Sequence, residues 1–287
     1  MPHRILILGR HGQLATELQR LAPPAGFEIV ALGRDQLDLR EIDQISLVLR
    51  ESAPSVVINA AAFTAVDAAE SEPDAAFALN GDAPREIANA CARLGAPLIH
   101  LSTDYVFDGA KNAAYEEADA TAPLNVYGVS KLAGEHAVLE SDAHAAIIRT
   151  SWIFAAHGAN FVRTMLRLAE TRREVNVVAD QIGRPTWACD LAECCLGLAL
   201  RALDRDPVTR GLLHFAGADD ASWADLAEAV FAEAGRDVSV HRIATHAYPT
   251  PARRPLNSRL NSDKIIGMGF TPKPWREALA QCLLSER

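Results

Sequence analysis

Short apolar segments alternate with amphipathic ones along the first half of this 287-residue chain. The apolar segments are rich in Val, Ile and Leu and have the length of strands buried on both faces. Strands and helices that take turns in this way form a parallel sheet covered on both sides. The predicted strands are RILILG, EIVALG, SVVINAAA, PLIHLSTDYVF and HAAIIRTSWIF, and the predicted helices are TELQRLA, IDQISLVLRESA, 74–95 and 126–140.

This alternation predicts an α/β fold with a doubly wound, Rossmann-like parallel sheet over residues 1–153, the usual form of a dinucleotide-binding domain. Beyond Phe154 the order loosens, and proline-rich segments such as GRPTWA and FTPKPW separate the helical runs. We interpret residues 154–287 mainly as a smaller C-terminal substrate-binding domain, with some segments returning to the first domain.

Composition narrows the range of partners. The net charge of −9 provides no basic stripe for a phosphate backbone, so we expect no nucleic-acid partner. Since no apolar run approaches the ~20 residues that cross a bilayer, we expect no membrane span. The chain enters a strand at once without a leader-like segment, and its five cysteines show no paired spacing. We therefore expect a cytoplasmic protein with free thiols.

A glycine turn follows the first predicted strand, in residues 9–15 with the sequence GRHGQLA. Gly9 can adopt a positive φ, Gly12 lets the backbone approach a pyrophosphate, and Ala15 allows the helix to pack closely on the sheet. A lone glycine turn is a weak signal, but its place between a strand and a helix favours a phosphate-binding site over a plain tight turn.

The second predicted strand ends in Gly33-Arg34-Asp35, where the two nicotinamide cofactors are usually distinguished. An acidic residue there binds the adenosine ribose hydroxyls, whereas an arginine pairs with the 2′-phosphate of NADPH. Arg34 favours NADPH and Asp35 favours NADH. An alternative interpretation makes both of them solvated loop residues.

Tyr127 and Lys131 form a YxxxK motif at the start of a predicted helix, where residues four apart share one face. The chain has four tyrosines and four lysines, so a chance match is expected only about 0.06 times. A nearby ammonium favours tyrosinate, and we therefore expect Lys131 to lower the pKa of the Tyr127 phenol. The pair then resembles a proton-transfer centre.

The segment STDYVFDG begins at the carboxyl end of the fourth predicted strand, the edge where parallel sheets bind ligands. Either Ser102 or Thr103 is expected to donate a hydrogen bond to a substrate carbonyl there.

These motifs and their order resemble the extended short-chain dehydrogenase/reductase superfamily. More narrowly, VINAAAFTAVDAAESEP, STDYVFDG, PLNVYGVSKLAGE, DQIGRPT and RRPLNSRLN resemble the dTDP-4-dehydrorhamnose reductase family over nearly the whole chain. The resemblance implies reduction of the 4-keto group of a dTDP-deoxysugar by NADPH, with NADH as the alternative, to give dTDP-L-rhamnose for bacterial surface polysaccharide.

The resemblance also implies roles for individual residues. It makes Tyr127 the proton donor, Lys131 the residue that tunes it, and Thr103 a hydrogen-bond partner of the reacting oxygen. The implied cofactor-binding residues are Gly9, Gly12, Gln13, Leu14, Arg34, Asp38, Leu39, Ala60, Ala61, Ala62, Thr64, Ser102, Tyr127 and Lys131. The implied substrate-binding residues are Val66, Thr103, Asp104, Trp152, Asn160, Arg254 and Ser258. Packing alone is an alternative account of the three alanines and of Trp152.

Alternative functions stay open at this point. A sugar-nucleotide dehydratase is disfavoured because Thr103 is followed by Asp104-Tyr105 rather than by an Asp-Glu pair. A 4-epimerase would use the same Thr, Tyr and Lys. A non-catalytic regulatory subunit that keeps the dinucleotide site, and a reductase of another dTDP- or UDP-deoxysugar, are further alternatives.

Some members of the family are described as binding magnesium at a dimer contact, and Glu17 aligns with one of the acidic ligands. We expect no metal here, because Cys189 stands where a carboxylate is wanted. Homodimerisation through helices is consistent with the superfamily, although the sequence does not demonstrate it.

Overall fold

The computed structural model describes residues 2–284. Its strands are β1 (His3–Leu8), β2 (Phe27–Leu32), β3 (Val56–Asn59), β4 (Leu98–Thr103), β5 (Ala145–Thr150), β6 (Ile153–Phe154), β7 (Glu174–Val178), β8 (Ile182–Gly183), β9 (Thr186–Trp187), β10 (Gly211–His214), β11 (Ala221–Ser222), β12 (Ser239–Ile243) and β13 (Asn257–Ser258). Its helices are α1 (Gln13–Arg20), α2 (Ile42–Ser52), α3 (Val66–Ala69), α4 (Pro73–Phe77), α5 (Ala83–Leu94), α6 (Val126–Leu139), α7 (Phe161–Ala169), α8 (Ala188–Leu203), α9 (Trp223–Glu233), α10 (Asp263–Gly267) and α11 (Trp275–Leu284).

Six strands form the central sheet in the order β10-β5-β4-β3-β1-β2, and every neighbouring pair is parallel. The chain runs outward from β1 to β2 and then crosses to β3 on the other side of β1. The carboxyl ends of β1 and β3 are therefore a topological switch point, where such sheets bind ligands. The predicted doubly wound parallel sheet is confirmed.

Both faces of the sheet are covered, which explains the continuous apolar strands. In β1, Ile5 and Ile7 point into a core shared with α1 and α8. Leu6 and Leu8 point into the opposite core, which is shared with α2 and α5. Successive side chains of a strand alternate between faces, so a strand with two covered faces must be apolar at every position.

Residues after 153 contribute to both halves of the molecule. Helix α8 packs in the first core of the sheet, and β10 adds the sixth strand next to β5. The parallel pair β7 and β12 packs with α7, α9 and α11 around a separate apolar cluster. None of the helices within residues 2–284 is long and apolar enough to span a membrane.

Three predicted elements differ in detail. The helix expected over 74–95 is interrupted by a π-helical turn at Ala78–Asp82. The fourth strand ends at Thr103, because a 3₁₀ turn at Asp104–Val106 follows it. The fifth strand breaks at Trp152, whose φ of 50° is left-handed and cannot continue a strand. Each break lies beside a group of predicted site residues.

Helix α6 approaches the π-helical turn closely at Gly134. A Cβ at this position would lie 2.0 Å from the backbone oxygen of Asn80. Gly134→Ala should therefore lower the free energy of unfolding by about 1–3 kcal/mol, because α6 must shift to relieve the overlap. Urea unfolding of the two proteins measures this difference.

Gly267→Ala is the matched control, since a Cβ at Gly267 meets nothing within 4 Å. This variant should stay within about 1 kcal/mol of the parent protein. Equal unfolding midpoints for Gly134→Ala and the parent would contradict the close approach.

Candidate active site

A cavity of about 250 Å³ opens at the carboxyl ends of β1, β2 and β3, at the switch point of the sheet. Nine predicted cofactor residues line it: Gly9, Gly12, Arg34, Asp38, Leu39, Ala60, Ala61, Ala62 and Thr64. Of the others, Leu14 is buried in the core under α1. The side chain of Gln13 accepts a hydrogen bond of 2.9 Å from Asn160 Nδ2.

The glycine turn has the backbone geometry of a phosphate cradle. Gly9 has a φ of +96°, and a Cβ there would lie 3.2 Å from the backbone nitrogen of Ala61. Gly12 precedes α1, and no side chain caps this helix. Open space surrounds the position that a Cβ on Gly12 would take. Gly12 lines the cavity, and the first N–H groups of α1 after it have no side-chain cap, which suits a pyrophosphate.

Asp35 and Arg34 lie in different surroundings. The Asp35 carboxylate lies 3.4 Å from Arg10 Nη1, so a neighbouring cation already compensates its charge. Arg34 is exposed and lines the cavity. Asp38 pairs with Arg40 at 2.5 Å, and the hydrogen bond with Arg40 lowers the pKa of Asp38 to about 2. Arg34 is thus placed to meet an additional phosphate.

The predicted catalytic residues converge at the end of β4. Tyr127 lies in the first turn of α6, and its hydroxyl hydrogen-bonds the side chain of Thr103. One helical turn later, Lys131 is 2% exposed and donates a 2.6 Å hydrogen bond from Nζ to the oxygen of Leu101. The structure therefore brings the three side chains together, as the motif spacing suggests.

Two residues that the sequence analysis did not single out set this arrangement. Asn125 caps α6 by accepting a 2.8 Å hydrogen bond from Gly128 N, and its Nδ2 donates to the oxygen of Arg253. A Cβ on Gly128 would lie 2.2 Å from the backbone oxygen of Tyr105. Only glycine allows α6 to come this close to the turn after β4. An asparagine three residues before a glycine at a helix start was the available signal.

Asn80 holds the segment after β3, which contains Phe63 and Thr64, against α6. Its side chain accepts from Phe63 N at 2.9 Å, and it donates to Phe63 O at 3.1 Å and to Ser130 Oγ at 3.0 Å. This buried amide belongs to the π-helical turn, which the sequence analysis did not predict. The loop that contains Thr64 is thereby fixed relative to Tyr127.

A buried ion pair lies behind the catalytic residues. Arg149 binds Glu135 through two hydrogen bonds, of 2.8 Å from Nε and 2.6 Å from Nη2, and both side chains are at most 2% exposed. The Ser102 hydroxyl also donates to Glu135. Both donors considered for a substrate carbonyl are thus engaged within the protein, since the Thr103 hydroxyl donates to Asp104 Oδ1 at 3.1 Å and also contacts Tyr127.

The electrostatics differ from the expectation that Lys131 lowers the pKa of Tyr127. In the described chain, burial is the largest influence on Tyr127 and raises its pKa to about 12, while the hydrogen bond with Thr103 opposes the rise. Burial also lowers the pKa of Lys131 to about 8, against the attraction of Glu135. Desolvation acts on both groups, and the ammonium is directed to the oxygen of Leu101.

The predicted substrate residues form separate contacts. Arg254 pairs with Asp67 at 2.9 Å, next to Val66 at the start of α3. Ser258 hydrogen-bonds the Asp104 carboxyl group beside Thr103. Both contacts lie beside the turn after β4. The guanidinium of Arg254 is 5.9 Å from the ring of Tyr105, and Asp104 itself belongs to that turn.

Trp152 and Asn160 lie apart from these contacts, directly after β5 and directly before α7. The ring of Trp152 stacks on Trp223 with centroids 3.6 Å apart, and a Cβ on Gly183 would overlap it. Asn160 caps α7 by accepting from Arg163 N and reaches Gln13 with its amide. One face of Trp152 is therefore covered by protein, and Asn160 contacts the glycine turn.

Comparison with known proteins assigns the family. The family model described as the RmlD substrate binding domain matches residues 3–287. A dTDP-4-dehydrorhamnose reductase from Sinorhizobium fredii is 48% identical over 281 residues, which are 96% of this chain and 95% of that protein. This chain belongs to the dTDP-4-dehydrorhamnose reductase family. The resemblance inferred from the motifs is thus confirmed.

Two further relatives agree with this assignment. A dTDP-4-dehydrorhamnose reductase from Burkholderia thailandensis is 43% identical over 292 residues, with 98% of each chain covered. The crystal structure of a dTDP-4-dehydrorhamnose reductase from Bacillus anthracis in complex with NADP has a TM-score of 0.93 and 36% identity. That similarity covers 99% of this chain and 100% of the other. Fold and sequence therefore point to the same reductase family.

Arg34→Ala should weaken NADPH binding about tenfold and leave NADH binding nearly unchanged, because only NADPH carries the phosphate that the guanidinium would pair with. Titration of each cofactor, followed by protein fluorescence, gives the two dissociation constants. Arg50→Ala removes an exposed arginine of α2 and is the matched control. Equal losses for NADPH and NADH would show that Arg34 does not recognise the 2′-phosphate.

Proposed function

We propose that this chain reduces the 4-keto group of dTDP-4-dehydro-6-deoxy-L-mannose (dTDP-4-dehydrorhamnose) with NADPH to give dTDP-L-rhamnose. The observation that carries the proposal is the hydrogen-bonded pair Thr103 and Tyr127, backed by Lys131, at the edge of the sheet that also forms the cofactor cavity. The names of the relatives supply the substrate.

We assign each part of the cofactor to residues in and around the cavity. The first N–H groups of α1 and the Gly9–Gly12 turn would hold its pyrophosphate, with Gln13 and Leu14 continuing the turn. Arg34 would meet the 2′-phosphate, Asp38 and Leu39 would border the adenine, and residues 60–64 would line the groove towards Tyr127. When bound, NADPH supplies the hydride that reduces the carbonyl carbon.

Tyr127 supplies the proton that the reduced carbonyl oxygen takes up. Its raised pKa keeps the phenol protonated until the oxygen gains negative charge, which makes it an acid rather than a base in the resting protein. Thr103 hydrogen-bonds the Tyr127 hydroxyl and so would hold it at the reacting oxygen. Lys131 and Ser102 lie behind the pair and would contact the nicotinamide side of the cofactor.

The sugar nucleotide would lie across the turn after β4. Arg254 provides a planar guanidinium for the diphosphate, close to Val66 and Tyr105. Asp104 and Ser258 would face the sugar from one side. We assign Trp152 and Asn160 to the other walls of the site.

The turn after β4 favours reduction over elimination. Thr103 is followed by Asp104 and Tyr105, and the Tyr105 ring contacts Tyr127 edge to face at 5.5 Å. An aromatic side chain in this position cannot act as the carboxylate base that a dehydratase requires. Net consumption of NADPH separates the reductase from an epimerase, which regenerates its cofactor.

The setting of the enzyme is part of the same proposal. The product would serve as a sugar donor for bacterial surface polysaccharide, made in the cytoplasm from a dTDP-deoxysugar without nucleic-acid or membrane partners. Residues 1–153 would bind the dinucleotide, and residues 154–287 mainly the sugar nucleotide, with α8 and β10 returning to the first sheet. Whether two copies associate is answered by light scattering.

The direct test is incubation of the purified protein with NADPH and dTDP-4-keto-6-deoxysugars of differing stereochemistry. We expect one NADPH oxidised per sugar reduced, with dTDP-4-dehydrorhamnose as the preferred substrate. Cofactor that stays reduced while the sugar isomerises would indicate an epimerase. Cofactor binding without any change of the sugar would indicate a regulatory protein.

Tyr127→Phe should reduce turnover by about 10²-fold or more, because the ring remains but the proton donor is lost. Dinucleotide affinity should change little. Steady-state NADPH oxidation and cofactor titration give the two quantities. Tyr248→Phe, at a tyrosine that is 58% exposed, is the control. Turnover of Tyr127→Phe close to that of the parent would refute the proton-donor assignment.

A further inference from the structure

Asp104 is a buried carboxyl group next to the proposed proton donor. It begins the 3₁₀ turn after β4, is 3% exposed, and lies 3.1 Å through Oδ1 from the Thr103 hydroxyl. Its Oδ2 has no hydrogen-bond partner within residues 2–284. A carboxylate in this position is poorly solvated, and burial raises the pKa of Asp104 to about 6.

Within residues 2–284, no cation is paired with Asp104. Tyr105 and Tyr127 are the titratable neighbours, and the charge of Asp104 raises the pKa of both. Hydrogen bonds from Ser258 and Thr103 favour the carboxylate but are weaker than the effect of burial. Ionised Asp104 therefore opposes a negative charge on Tyr127, whereas neutral Asp104 does not.

On the other side of Tyr105 lie Arg254 and Asp67, which pair with each other at 2.9 Å. The guanidinium of Arg254 lowers the pKa of Tyr105 and Asp67 raises it. Of these two charges, that of Arg254 has the larger effect on Tyr105. Thr103 is the polar side chain that contacts both Asp104 and Tyr127.

Thr103 can link the two groups in only two ways. A hydroxyl has one proton and two lone pairs, and Tyr105 N already donates to Thr103 Oγ1 at 3.1 Å. One proton and one lone pair remain for Asp104 and Tyr127. If Asp104 is ionised, Thr103 donates to Asp104 and accepts from Tyr127. If Asp104 is protonated, Asp104 can donate to Thr103, and Thr103 then donates to the oxygen of Tyr127.

We propose that Asp104 is a proton reservoir for the reduction, which delivers its proton to Tyr127 through the Thr103 hydroxyl. The inference rests on the proposed function and adds a proton source to it. As the carbonyl carbon is reduced, the carbonyl oxygen takes the Tyr127 proton, Tyr127 takes the Thr103 proton, and Thr103 takes the Asp104 proton. Asp104 ends as a carboxylate and is reprotonated by water after product release.

The pH dependence has a definite sign, because only the protonated form of Asp104 carries the transferable proton. In single-turnover mixing of enzyme, NADPH and substrate, the rate of NADPH oxidation should be highest below the pKa of Asp104. It should then fall by up to about tenfold per pH unit above that pKa, towards the rate that Tyr127 sustains alone.

Asp104→Asn keeps the size of the side chain and donates to Thr103, but it has no proton to transfer. Its single-turnover rate should be independent of pH over this range and lower than the low-pH rate of the parent. In mixtures of light and heavy water, the parent rate should show a curved dependence on deuterium fraction. The variant should show a straight line, because fewer protons move in the step. A merely structural role would not change this curvature.

Asp108→Asn is the matched control, since Asp108 belongs to the same segment and bonds Tyr115 instead. It should keep the pH dependence and the curvature of the parent. An Asp104→Asn protein with the pH dependence of the parent would overturn the proposal.

Infrared difference spectra of parent and Asp104→Asn provide a measurement without substrate. The carboxyl C=O band of Asp104 should disappear as pH rises through about 6. A band that titrates near the ordinary aspartate value of about 3.9 would overturn the reservoir. Failure of the parent protein to oxidise NADPH with any of the dTDP-sugars would instead refute the proposed function, and the proton delivery with it.

Discussion

The docking of α6 on the carboxyl end of β4 is the contact on which the site depends. Two glycines make it possible, because side chains at Gly128 and Gly134 would collide with the backbone of Tyr105 and Asn80. Behind the contact, Glu135 of α6 is joined to Arg149 of β5 by two hydrogen bonds. Close packing at the front and a buried ion pair at the back fix the helix in position along and across the sheet, and so fix Tyr127 relative to Thr103.

Burial of this contact determines the protonation chemistry. Removal of water raises the pKa of the acids Tyr127 and Asp104 and lowers that of Lys131, so each group tends towards its neutral form. A site of this kind holds protons on its acids until a substrate oxygen needs one. The opposing influences are local hydrogen bonds, above all those of Thr103, which reaches both acids. The Thr103 hydroxyl therefore couples the protonation of Tyr127 to that of Asp104, a phenol and a carboxyl group with very different pKa values.

Much of the fold and part of the site could be predicted from the sequence. Apolar strands between amphipathic helices fixed the parallel sheet, and the glycine turn and YxxxK spacing placed the cofactor cavity and Tyr127 with Lys131, since these depend on local order along the chain. The π-helical turn at Ala78–Asp82 could not be predicted, because it is stabilised by contacts of Asn80 with residues distant in sequence. The predicted direction of the Tyr127 pKa shift was wrong, because it too depends on residues distant in sequence. Motif spacing gives the distance to a neighbouring charge, but burial depends on everything packed around the ring.

Asn160 has a consequence for how the two halves respond to ligands. Its amide bonds Gln13 of the glycine turn and the oxygens of Ala155 and His157, while its oxygen caps α7. A dinucleotide that contacted Gln13 would also restrict the motion of this asparagine and of the segments that it joins. By reciprocity, any affinity that the sugar site gains from a filled cofactor site must be returned to the cofactor by the same factor. The order in which the two ligands arrive then changes the path but not the combined stability of the ternary complex.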